Sequence, residues 1–150
     1  MSRSTATTRD LAKFLVVYET AGNETLGTQI PATFHAYEKL RPQLTTVVGV
    51  GGFRSLSCRA LALAGASVPS LRGVHVKADG SLEELEEFHA QVTPAEFFEG
   101  EVVLLDRLLG LLTLFIGEDL TVRLVREVWP EVPVGRLDFT NGVKQNEKTQ

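Results

Sequence analysis

The sequence predicts an all-α, or nearly all-α, domain: a compact bundle of five to six helices across residues 9–133. Three observations predict it. Apolar residues recur at three- and four-residue spacing, the period of one helix face. Two helix-start signals, Ser81–Glu84 and Thr93–Glu96, place a hydroxyl residue three positions before a glutamate. Apolar–polar alternation, the mark of a strand, is confined to Val74–Lys77, a short extended piece with no evident partner strand. A length of 150 residues suits one domain, and no internal repeat or linker divides it.

The elements follow in order. Residues 1–8 are small and polar and read as a disordered tail. Residues 9–21 form a helix on the stripe Leu11, Phe14, Leu15, Tyr18 and Ala21, and Gly22-Asn23 supplies a stop. A second helix starts near Pro31, a favoured first-turn residue, and Pro42 ends or kinks it. A third element runs from Pro42 to about Gly65, interrupted by Gly49-Val50-Gly51-Gly52. Ser81 caps a fourth helix that reaches Ala90. Thr93 and Pro94 open a fifth that runs to Ile116, with Gly100 and Gly110 allowing a neighbour to come close. Gly117 breaks the chain. A last helix then carries Leu120, Leu124, Val125 and Val128 on its apolar face and stops at Pro130 and Pro133, with Trp129 as a plug at its end. Residues 134–150 read as a flexible polar tail.

Composition excludes several classes. Apolar residues are 43% and charged residues 23%, which is ordinary for a globular chain and too apolar for a disordered one. The single cysteine, Cys58, leaves no internal disulfide or multi-cysteine zinc site. The net charge of −4 hides an asymmetry: residues 1–78 carry +5 and residues 79–150 carry −9. Eight acids and no Lys or Arg lie between Asp79 and Glu101, so a nucleic-acid backbone is not an expected partner. The most apolar run, Val102–Ile116, has eleven apolar residues in fifteen and is interrupted by Asp106 and Arg107. It falls short of the about 20 residues a membrane span needs and reads as a core helix. With no signal-peptide pattern, the expected compartment is the cytoplasm.

Two sets of residues are candidates for function. The apolar surplus of Val102–Val128 exceeds what one small bundle covers, and it is expected to bury in a homodimer or against another protein. The interface residues are then Leu108, Leu111, Leu112, Phe115 and Leu124, in a non-enzymatic interaction or regulatory module. The second set is Gly49, Gly51, Gly52 and Arg54. If Leu44–Val48 is a strand and Phe53–Ala64 a helix, the turn between them can bind phosphate on backbone N–H groups. With Val74–Lys77 as a second strand ending at Asp79, this resembles the opening of dinucleotide-binding Rossmann proteins. The chain departs from that pattern at Arg54, where the third glycine would stand, and in the greater distance to Asp79. If 44–48 is helical, the glycines instead mark a break or a close helix contact. His35 with Glu38, and Glu86 with His89, share helix faces, but one pair is reversed in order and neither requires a metal. Cys58 lies in a helical run without a nearby histidine. No motif demands a cofactor.

Overall fold

The computed structural model describes the backbone of residues 8–25 and residues 33–131, with side chains described over 8–21 and 33–131. Of the tail read at 1–8, Thr8 instead opens α1; the rest of it, the tail at 134–150 and the helix start at Pro31 lie outside the described residues. The fold is nearly all-α. Its helices are α1 (Thr8–Thr25), α2 (His35–Ser67), α3 (Leu85–Gln91), α4 (Pro94–Ile116) and α5 (Glu118–Val128). A 3-10 turn (Pro69–Gly73) and two-residue strands β1 (His75–Val76) and β2 (Leu82–Glu83) connect α2 to α3.

The first helix buries Leu11, Ala12, Leu15 and Val16, with Phe14 and Tyr18 packed at the margin. It continues through Gly22-Asn23 to Thr25 rather than stopping there, since a helical glycine costs only about 1 kcal/mol.

The second and third sequence elements are one helix with a corner in it. Pro42 lies inside α2, and buried Tyr37, Leu40 and Leu44 hold the helix on both sides of the missing N–H. The departure comes at Gly49, with φ +83° and ψ 160°. Sixteen residues of straight helix would separate Tyr37 from Phe53 by about 24 Å. Their rings stand 5.6 Å apart between centroids. The chain therefore turns back sharply at Gly49, and both halves of α2 contribute buried residues to one core. Segment 44–48 is helical, so the glycines that follow mark a break and not a strand–loop–helix turn.

Gly117 repeats the device. Its φ of +93° and ψ of 159° match Gly49, and this single residue both ends α4 and starts α5. Its N–H donates to the Thr113 carbonyl, and its own carbonyl accepts from the Thr121 N–H.

The segment around Ser81 differs from its reading as a capped helix start. Ser81 turns backward: its N–H and its Oγ both donate to Asp79 Oδ1, at 2.9 and 2.6 Å. Ala78-Asp79-Gly80, with Gly80 at φ +90°, makes a three-residue hairpin turn: the Gly80 N–H donates to the Lys77 carbonyl and the Lys77 N–H to the Ser81 carbonyl. Val76 pairs with Leu82 and His75 with Glu83, so the extended piece does have a partner strand. α3 begins only at Leu85, after Glu84 in left-handed conformation. The Tyr37 hydroxyl donates to the Gly80 carbonyl at 2.7 Å and fastens this hairpin to α2.

The start of α4 matches its reading in part. Thr93 Oγ1 accepts from the Glu96 N–H at 3.1 Å. The Glu96 carboxylate does not return the bond; it accepts from Ser70 Oγ at 2.8 Å. Gly100 lets the Phe88 ring of α3 sit on the helix, whereas Gly110 has no neighbour within 4 Å. Trp129 is fully buried at the end of α5. Its indole N–H donates to Glu19 of α1 at 2.6 Å, and Lys39 of α2 lies 5.9 Å above its ring.

A Cβ at Gly49 or Gly117 forces a backbone conformation only glycine tolerates. Gly49→Ala and Gly117→Ala are each expected to lower stability by about 1–3 kcal/mol in urea unfolding. Gly110→Ala, in ordinary helix with open space beside it, is expected to be neutral or to stabilise by up to about 1 kcal/mol.

Candidate functional site

The structure divides the predicted interface residues. Leu108, Leu112 and Leu124 are core: Leu108 and Leu112 are fully buried, and Leu124 nearly so. They cannot face a partner while the domain is folded, because all three belong to the core shared by α1, α2, α4 and α5. Leu111 is half-buried, and Phe115 is 65% exposed. The missing member is Leu114, 85% exposed and the most open large apolar side chain among the described residues.

These three form one surface for a geometric reason. Positions 111, 114 and 115 share a helix face at three- and four-residue spacing. Along its middle α4 is covered by the bundle, and Leu104, Leu105 and Leu108 are buried. At its last turn α4 leaves Leu114 and Phe115 uncovered. Gly117 then turns the chain into α5, leaving Ile116 and Leu120 half-buried beside the open leucine and phenylalanine. The adjoining concave surface at the corner is bounded by Glu118, Asp119 and Arg123.

The Gly49–Arg54 candidates lie elsewhere. Gly49 and Gly51 are exposed with no neighbour within 4 Å. Arg54 is exposed one turn further along α2. With helix in place of the strand at 44–48, the phosphate-turn geometry is not formed.

The acid–base groups are structural in placement. Glu38 pairs with Arg41 at 3.0 Å. His89 stands edge-on to Phe97 at 4.8 Å. Among the described residues, no three His, Cys, Asp or Glu side chains converge as a metal site would require. Cys58 is exposed on α2.

Glu101 is the ionisable group that the sequence reading left unremarked. It is buried within α4, 6% exposed. Its carboxyl oxygen accepts from the Ala36 N–H at 2.9 Å and from the Tyr37 N–H at 3.4 Å. Those amides belong to the first turn of α2, whose cap position is Phe34, a residue with no side-chain acceptor to offer. Glu101 thus caps α2 from another helix. Burial pushes its pKa up to about 8, against the two amide bonds, which pull it down. The signal available in sequence was an acid directly abutting the aliphatic run.

By length and composition α2 is the one helix among the described residues able to cross a membrane. In this fold it is bent at Gly49, and Leu44, Phe53 and Leu61 are buried in the protein core. Comparison with protein-family models, curated proteins and solved structures returns no match to this chain.

The Glu101 shift has a definite sign. The folded chain holds a proton that the unfolded chain releases near its ordinary value of 4.5. Stability is therefore expected to fall as pH rises from about 4.5 to about 8, and to level off above that. Glu101→Gln keeps an acceptor for both amides and cannot ionise. Urea unfolding across this range should show a flatter profile for it than for the parent. An equal slope in both proteins would remove Glu101 as the cause. Glu101→Ala, which strips the cap, is expected to cost about 1–3 kcal/mol near pH 4.5, where the carboxyl is protonated in the fold, and progressively less as pH rises towards 8.

Proposed function

We propose that this chain is a non-enzymatic helical interaction module that docks through the open end of α4. The observation behind the reading is the exposure of Leu114 and Phe115, 85% and 65%, side by side with half-buried Leu111. Most other large apolar side chains of the described residues are buried or packed against the core. Large apolar groups gathered on one corner favour contact with a protein over contact with water. The acidic rim of Glu118 and Asp119 beside Arg123 adds polar groups that can set orientation. The first partner to test is a second copy of the chain, since a symmetric dimer would bury the same patch twice. A cytoplasmic setting suits its single free thiol. The alternative reading, a phosphate ligand on Gly49, Gly51, Gly52 and Arg54, lacks the strand that would hold its loop.

Leu114→Glu with Phe115→Glu is expected to leave folding stability within about 0.5 kcal/mol, because both side chains already face water. The same double variant is expected to abolish assembly in native mass spectrometry, or capture of a partner from the source cell. An unchanged assembly would place the interface elsewhere. Leu112→Glu is expected to unfold the domain instead, by burying a charge in the core.

A further inference from the structure

A groove lies between the second half of α2 and the segment leading into the hairpin, away from the open end of α4. Cys58, Leu61 and Ala62 of α2 form one wall. Leu71, Val74 and Val76 form the other, and all three are buried or nearly so. The cavity has a volume of about 310 Å3. That is at the lower end of small-molecule sites, which run to roughly 300–1,000 Å3.

Charge distinguishes this groove from an ordinary crease. Arg72 lines it, and its stem lies against α2: a Cβ on Gly65 would come within 3.3 Å of Arg72 Cγ. Arg54 stands one turn before Cys58 on the same helix face. Neither guanidinium has a carboxylate partner among the described residues. The sequence explains why: no Asp or Glu occurs between Glu38 and Asp79, while Lys39, Arg41, Arg54, Arg59, Arg72 and Lys77 all do. The two flanking acids are engaged, Glu38 with Arg41 and Asp79 with Ser81. His75, also in the wall, is held by Glu84 at 3.1 Å.

We propose that this groove binds a small molecule with an apolar body and an anionic head, of the medium-chain carboxylate class. The aliphatic walls accept the hydrocarbon. Arg72 pairs with the carboxylate, and Arg54 adds positive potential at the end of the groove. A bare phosphate gains nothing from the walls. A cationic amphiphile meets the Arg72 guanidinium, and the nearby Glu84 carboxylate is engaged by His75.

The single cysteine supplies the test, because any alkylation reports on Cys58 alone. The full chain is treated with iodoacetamide in the presence of decanoate, decanol or decyltrimethylammonium, each below its micelle-forming concentration. Decanoate is expected to slow alkylation of Cys58 at the lowest concentration and decyltrimethylammonium at the highest. Arg72→Gln, at an exposed position, is expected to shift the decanoate midpoint about tenfold toward that of decanol and to leave the decanol midpoint in place. Ala62→Trp fills the groove and is expected to abolish protection by all three. Absence of protection by decanoate overturns the proposal. So does equal protection by the cationic probe, an unmoved midpoint in Arg72→Gln, or full protection in Ala62→Trp.

Discussion

The backbone at Gly49 reverses the course of the longest helix, and most of the tertiary structure depends on that reversal. A straight α2 would carry Phe53, Ala60, Leu61 and Ala64 away from Tyr37 and Leu40. Folded back, both halves contribute to one core, and α4 packs against it. The reversal uses a φ and ψ combination that costs a residue with a Cβ about 1–3 kcal/mol. It also brings the Tyr37 hydroxyl under the Gly80 carbonyl, so the small hairpin is anchored to the same corner.

Glu101 is the counterpart of that corner at the other end of α2. The first turn of a helix leaves N–H groups without partners. Phe34 occupies the cap position because its ring is needed in the core, against Phe88 and Phe97. The acceptor then has to come from elsewhere, and α4 provides it. This fixes the axial position of α4 relative to α2 by hydrogen bonds rather than by interchangeable aliphatic contacts.

Much of this was legible in the sequence. The helical class, the first-helix stripe, the Thr93 start and the Gly117 break all rest on local chemistry, and local chemistry decided them. The buried plug at Trp129 was read correctly from its place before Pro130. Two kinds of reading failed, one over a local competition and one over non-local packing. Ser81-Leu82-Glu83-Glu84 has the form of a capping box, but Asp79 competes for the same serine and the Asp79-Gly80 turn wins. The Asp-Gly pair is itself a turn signal. Apolar periodicity marks which faces of α4 and α5 are greasy, yet it cannot say which greasy residues the rest of the chain covers. For that reason Leu108, Leu112 and Leu124 stood as interface residues although they are core, and Leu114, equally apolar, went unnamed. The groove beside Cys58 was illegible for a related reason, since its two walls are brought together only by the fold.

The environment of Trp129 gives the molecule an internal optical gauge. It is the sole tryptophan of the chain, sealed from water, bonded to α1 through Glu19 and roofed by Lys39 of α2. Three helices therefore converge on one chromophore. Its emission colour reports whether the C-terminal helix is seated, independently of the state of α3 or the hairpin. Partial opening of the bundle at that end would be seen as a red shift while helix content remained almost unchanged.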